Sequence, residues 1–434
     1  MSTVLLALGT VVLLWALGGG ELLRRRCPVG HWYIAGYPSA ALRVWSTWRR
    51  VALLNDLTVN RRPPRALLGG LVVIGDALRP VVPRASLPRA TRLGLTVTVR
   101  MCPGQTPAVY RAAAEAFTHA WKVHAVRVTS PERGMVRIAA LASDPLASPG
   151  LAMAPKTLLS ALVGIGESGG AWVIDLLDVP HWLVTGATRS GKSTLLARLI
   201  AELSPQDVAL VGIDCKGGME LGPFAPRLSA LAASRREAVA LLGGLLIELH
   251  QRMRLCRGHD ARSIWELSPK LRPVPVVIIV DEVAELYLSD GTRAGRAESE
   301  QCSAMLLRLV QLGGALGLHL VVAGQRVGSD LGPGVTALRA QLGGRICHRV
   351  HDSGTAEMTL GDLDKDAVAA AQSITTEEPG VAIRTGPDGG WERARSHRLT
   401  PEETAGTVAR HASRTPHLPT LESALAGMRE GEEE

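Results

Sequence analysis

The chain has 434 residues, 46% of them hydrophobic, which excludes a largely disordered protein and allows two or three domains. Aromatics are only 3%, so a core must be built from Leu, Val, Ile and Ala. The net charge of +8 is carried almost wholly by arginine and favours a polyanionic partner, nucleic acid or anionic lipid. The cysteines at 27, 102, 215, 256, 302 and 347 show no C-x-x-C or Cys/His spacing, so neither a disulfide framework nor a zinc site is indicated; free thiols in a reducing cytosol are expected.

In chain order, residues 4–23 form an apolar run of about the length that crosses a bilayer, closed by Arg24, Arg25 and Arg26. Charge after the run rather than before it predicts a signal anchor over 1–26, a single pass with the N-terminus outside and the rest in the cytoplasm. A buried core helix or a peripheral segment is the competing reading. Residues 27–92 read as a juxtamembrane segment and a Pro/Arg-rich linker. Within them Trp32, Tyr33, Tyr37, Trp45 and Trp48 interleave with Arg43, Arg49 and Arg50. That pattern suits a helix in the headgroup region, and equally an amphipathic helix packed on its own domain. The run LLGGLVVIG at 67–75 is either a second membrane segment or a buried strand.

Residues 93–150 predict a small α+β domain: a strand from LTVTVRM, a helix capped at Thr106, then two strands about the turn PERG. His119 and His124 have no partner at ligand spacing and are expected to be structural. From 151 to 398 strands and helices alternate, as in a doubly wound parallel sheet. Within it WLVTGATRSGKSTLLARL (182–199) has the strand, glycine loop and helix order of a phosphate-binding loop. Gly186 and Gly191 permit backbone angles that let the N–H groups of Ala187, Thr188, Arg189, Ser190 and Thr194 turn toward phosphate oxygens, at the positive end of a helix. Lys192 can reach the β- and γ-phosphates of ATP, and Ser193 can ligate Mg²⁺.

The long helix of RREAVALLGGLLIELHQRMRLCR carries Arg252, Arg254 and Arg257 near its end, where cations suit the dipole. The apolar run VPVVIIVDE (274–282) then delivers Asp281 and Glu282 to a strand end, where ligands of open α/β sheets bind. Asp281 would hold Mg²⁺ and Glu282 would accept a proton from the water attacking the γ-phosphate. LHLVVAGQR (318–326) ends in Gln325, suited to touch the γ-phosphate or orient that water, or else a surface amide at a strand end. LGGRICHRV (342–350) reads as an edge strand whose Arg345 or Arg349 could reach a neighbouring subunit's nucleotide, or face solvent or DNA. Residues 399–434 are polar and acidic, read as a short helix and a disordered tail.

The order of these blocks resembles the FtsK/SpoIIIE family of DNA translocases, and most of all its actinomycete Tra-type transfer proteins. The matching residues are PHWLVTGATRSGKSTLL (180–196), GIDCKGGMEL (212–221), LLIELHQRMRLCR (245–257), VVIIVDEVAELY (276–287), GGALGLHLVVAGQR (313–326) and the segment 95–128. The resemblance implies a RecA-like motor in a hexameric homo-oligomeric ring, moving double-stranded DNA with ATP and Mg²⁺, using Lys192, Ser193, Asp281, Glu282 and Gln325. The chain departs from the family at Gly324-Gln325-Arg326-Val327, where T-Q-R-P is usual, and shows neither the four-helix membrane region nor a C-terminal winged helix. The expectation is a membrane-anchored DNA pump for conjugative transfer, working with other transfer proteins. A chromosome-segregation translocase, a protein-secretion ATPase and a non-motor scaffold are the alternatives.

Overall fold

The computed structural model describes residues 26–61, 79–147, 157–289, 291–361, 363, 365–386 and 390–433. The apolar run at 4–23 and that at 67–75 therefore lie outside the described residues. Among those described, no helix is long and apolar enough to cross a membrane. The chain divides into two compact units, Met1–Ala147 and Ser148–Glu434.

In the first unit, β1 (Gly94–Arg100), β2 (Ala125–Glu132) and β3 (Met135–Leu141) form an antiparallel sheet in the order β1-β3-β2, extended by short pairings at 84–85 and 89–90. Alternation along β1 turns Leu95, Val97 and Val99 inward. Against that face lie the helices Pro107–Ala112 and Ala114–Trp121, together with Tyr37–Leu54. Thr106 occupies the N-cap position in extended backbone without a side-chain cap bond. The Tyr37–Leu54 helix buries Ala40, Val44, Trp48, Val51 and Ala52 on its own unit. Trp48 stacks on Phe117 at 5.9 Å between ring centroids, and Phe117 on Trp121 at 4.9 Å. An aromatic-poor chain thus concentrates rings where they knit a small core. His119 and His124 stand beside Glu115 and Asp144.

The second unit is built on a ten-stranded sheet. Its strands are β4 (Ser160–Gly166), β5 (Ala171–Asp175), β6 (His181–Thr185), β7 (Ala209–Ile213), β8 (Ala230–Ala232), β9 (Val276–Val280), β10 (Leu318–Gly324), β11 (Gly344–His348), β12 (Val381–Thr385) and β13 (Trp391–Ser396). The spatial order is β8-β7-β9-β10-β6-β11-β12-β13-β4-β5. From β8 to β11 neighbours are parallel; from β11 to β5 they are antiparallel. β6, β7, β9, β10 and β11 are buried along their whole length, which is why they read as continuous apolar runs rather than alternating ones.

Three findings differ from the sequence reading. β11 is no edge strand: it pairs with β6 on one side and β12 on the other. The C-terminal stretch is helical at Pro401–His411 and Pro419–Glu433, and the second of these packs on the long Arg235–Gly258 helix. Arg252 does not sit free at that helix's dipole: it is 2% exposed and donates to Glu248, to the Leu316 carbonyl at 3.0 Å and to the Val274 carbonyl at 2.8 Å.

Candidate active site

Parallel strands point their carboxyl ends one way, so the residues following β6, β7, β9, β10 and β11 meet along a single edge. Ala187 through Ser190 form the loop after β6, and Gly191 opens the Lys192–Leu203 helix with φ +116°. The loop rests on backbone from other strands. Gly186 N–H donates to the Gly324 carbonyl at 3.2 Å, Ala187 N–H to that of Arg349 at 2.8 Å, and Gly380 N–H to that of Ser190 at 2.8 Å. Arg189 has φ +60°, so the loop contains alternating backbone hands of the kind that turn N–H groups into an anion cradle. The N–H groups of Lys192, Ser193 and Thr194 are in the helix's first turn, where no intrahelical acceptor exists. Thr188 and Arg189 are exposed on the loop, while the Ser190 hydroxyl is buried and has no hydrogen-bond partner among the described residues.

Lys192 folds back into the edge. Its Nζ donates to the Asp281 carbonyl at 2.7 Å and to Glu282 Oε2 at 3.3 Å, and lies 4.0 Å from Asp281 Oδ1. Glu282 Oε1 accepts from the Gln325 backbone N–H at 3.1 Å, so β10, inserted between β6 and β9, links the loop strand to the acid-bearing one. The Gln325 side chain is exposed and lines a cavity of about 490 Å³ with Ala187, Lys216, Glu282, Arg326 and Asp352. Lys192, Asp281, Glu282 and Gln325 are thereby brought together; Arg345 is not. Its guanidinium is turned inward, 6% exposed in β11, and donates to the Arg339 carbonyl at 2.9 Å. Arg349, past the strand end, donates to the Thr188 carbonyl of its own loop at 3.1 Å.

Burial pushes the Asp281 carboxyl above the ordinary carboxylate range; Lys192 opposes this, and Asp214 and Glu220 add to it. Its Oδ1 is buried without a hydrogen-bond partner. A desolvated acid with a spare oxygen, on the strand edge that also carries the phosphate loop, fits a hard divalent cation. Ser193 and Asp281 could hold Mg²⁺, which takes one or two protein ligands beside water and phosphate, so no larger cluster is needed. Among the described residues no group of three or more His, Cys, Asp or Glu is placed to hold a metal, and all six cysteines are free.

Two parts of the site were not singled out from sequence. Beneath the loop, a Cβ on Gly191 would lie 2.5 Å from Gly380 Cα, and one on Gly186 would meet Ser190 Oγ and come within 2.8 Å of His348 Cβ. His348 is fully buried, and burial pushes its imidazole down to about 4. Beside the acids, Lys216 Nζ lies 3.5 Å from Glu282 Oε2. The polar cluster ending β7 was its one available signal.

A phosphate loop, an acid pair and an inserted strand on one parallel-sheet edge define a P-loop ATPase of the α/β class. Residues 17–142 match the actinomycete conjugal transfer protein N-terminal domain, and 149–271 and 266–329 match the FtsK/SpoIIIE family. Transfer protein TraSA of Streptomyces ambofaciens is 40% identical over 351 residues, 78% of this chain and 84% of that protein. DNA translocase FtsK of Caldanaerobacter subterraneus subsp. tengcongensis is 32% identical over 238 residues, 50% of this chain but 32% of its own length. The conjugation coupling protein TcpA of pCW3, solved as a monomer with ATPγS, shares the fold at a TM-score of 0.52 and 21% identity, covering 75% of this chain and 93% of that one. The chain belongs to the FtsK/SpoIIIE family, alongside the actinomycete conjugal transfer proteins.

Proposed function

We propose that the protein is a membrane-anchored translocase that uses ATP hydrolysis to drive double-stranded DNA between cells in conjugative transfer. The observation that carries this reading is the approach of Lys192 to Glu282, at 3.3 Å, on the strand edge that also bears the phosphate loop. When nucleotide enters, the N–H groups of Thr188, Arg189 and Gly191 through Thr194 bind the phosphates and Lys192 leaves the carboxylates for the β- and γ-oxygens. Mg²⁺, held by Ser193 and Asp281, would neutralise charge developing on those oxygens. Glu282 takes a proton from the water as its oxygen bonds to the γ-phosphorus and the bond to the β,γ-bridging oxygen breaks, leaving ADP and phosphate. Gln325 orients that water or the γ-phosphate.

Similarity to a transfer protein and to DNA translocases supports DNA as the load. A ring of subunits, six by family resemblance, would grip phosphates without reading bases, consistent with the arginine-carried charge of +8. The apolar run at 4–23 supports a single-pass anchor with the motor in the cytoplasm. On the Tyr37–Leu54 helix the face turned away from its own core exposes Leu42, Trp45 and Leu54 beside Arg43, Arg49 and Arg50, a composition that suits lipid headgroups.

The test is ATP turnover by the full chain with and without linear duplex DNA. Stimulation is expected at low salt and should fall steeply as salt rises, because each phosphate contact releases counterions. Lys192→Ala and Glu282→Gln should each lower turnover by about two orders of magnitude or more. Absence of stimulation at low salt would remove DNA as the load.

A further inference from the structure

The Glu282 carboxylate is held from three sides, and one of its two cations lies outside both the phosphate loop and the acid-bearing strand. Oε1 takes the Gln325 N–H at 3.1 Å, while Oε2 lies 3.3 Å from Lys192 Nζ and 3.5 Å from Lys216 Nζ. If Lys192 moves to phosphate, Lys216 is the cation that stays on the carboxylate. Its placement is built by backbone rather than by chance. Asp214, 1% exposed at the end of β7, accepts from the Lys216 N–H at 3.3 Å, the Glu220 N–H at 2.8 Å and the Leu221 N–H at 3.1 Å. Gly217 N–H donates to the Ala233 carbonyl and Gly218 N–H to that of Asp214, so the turn after Lys216 is tied at both ends. The lysine side chain is only 34% exposed and lines the same cavity as Gln325 and Ala187.

We propose that Lys216 is a positioning residue for hydrolysis: it holds Glu282 turned into the cavity after nucleotide has drawn Lys192 away. The buried Asp214 and its turn fix where that ammonium stands. A lysine acting this way serves the chemical step rather than nucleotide capture. Its loss lets the Glu282 carboxylate swing about its one remaining anchor, the Gln325 N–H, and water is no longer held in line.

This inference rests on Glu282 being the group that takes the water's proton, so the experiment separates the two. In the full chain, ATP turnover and the affinity for a fluorescent ATP analogue are measured for Lys216→Met, Lys216→Arg, Glu282→Gln and the double variant Lys216→Met/Glu282→Gln, with thermal melting as a check on folding. Lys216→Met should lower kcat about tenfold to a hundredfold while nucleotide affinity stays within about threefold, and Lys216→Arg should recover part of the loss. In the Glu282→Gln background the Lys216→Met change should add little, since residues acting as a unit are not additive. The proposal is overturned if Lys216→Met weakens nucleotide affinity tenfold with kcat unchanged, which makes the lysine a phosphate ligand. It is equally overturned by undiminished kcat, or by a full additional loss in the double variant. If Glu282→Gln itself retains turnover, it is the reading of Glu282 that fails, whatever Lys216 does. If Lys216→Met melts early, Lys216→Arg, melting with the parent chain, decides alone: kcat below the parent's with affinity unchanged supports the proposal, and undiminished kcat overturns it.

Discussion

Gly191 is fixed by two independent constraints. Its φ of +116° disfavours any side chain, and a Cβ there would stand 2.5 Å from both the Cα and N of Gly380, backbone that cannot swing aside. Gly191→Ala should therefore push the phosphate loop off its support. An affinity loss of about tenfold or more for an ATP analogue is expected, equivalent to ~1.4 kcal/mol, with Gly390→Ala as control because a Cβ there meets nothing within 4 Å. Titration with a fluorescent ATP analogue measures both. The loop was legible in sequence because its chemistry is local: the Gly, Lys and Ser spacing belongs to one turn and one helix start. Gly380 and His348, which brace it, arrive from strands more than 150 positions later, and no spacing rule connects them. The burial of Arg345 was hidden for the same kind of reason. The charge on β11 suggested an open edge, yet β12 (381–385) closes that edge from further along the chain.

At the scale of elements, apolar runs identified the parallel strands because burial on both faces leaves a continuous hydrophobic stretch. The C-terminal helix escaped because its apolar content is slight. Leu418, Leu421 and Leu425 sit among Pro, Thr, Glu and Gly, and no local feature shows that a partner waits. The partner is the Arg235–Gly258 helix, where Gly244 lets the two backbones approach. A Cβ at Gly244 would already lie 3.1 Å from Leu421 Cδ2 and 3.2 Å from Ala424 Cβ. Leu421 is fully buried in the main core cluster of the second unit. Leu421→Ala should cost about 2–4 kcal/mol, the range for emptying a buried leucine site. Gly244→Leu should lift the helix away. Urea unfolding measures the first; early proteolytic cleavage after residue 418 reports the second. The Tyr37–Leu54 helix had two readings in sequence, and its buried stripe of Ala40, Val44, Trp48 and Val51 places one face on its own unit. Periodicity told that one face is apolar, but not what that face would cover.

For the molecule as a whole, pH reaches folding through imidazoles that the second unit keeps from water. His181, His319 and His348 are 4%, 1% and 0% exposed, and burial pushes each down to about 4 from an ordinary value of 6.5. In the unfolded chain these rings bind protons below about 6.5, whereas in the folded chain they do so only near 4. Across that window the unfolded state holds more protons, so stability rises with pH, levels off above about 7, and is lost as pH falls toward 4. Between pH 7 and 5 each ring accounts for about 2 kcal/mol. The contributions of His181 and His319 are not independent, since each proton raises the cost of the other. Asp281 works in the opposite sense: its raised value means that protonation at low pH relieves a desolvated charge. The histidines, being three, should prevail. Unfolding by urea between pH 5 and 7.5 is expected to show stability climbing with pH. His319→Phe keeps a ring beside Trp265, 6.2 Å away, while removing the titrating group, so it should flatten that climb without abolishing it. An unchanged slope in His319→Phe would mean that carboxylates, not buried imidazoles, set the acid limit of the fold.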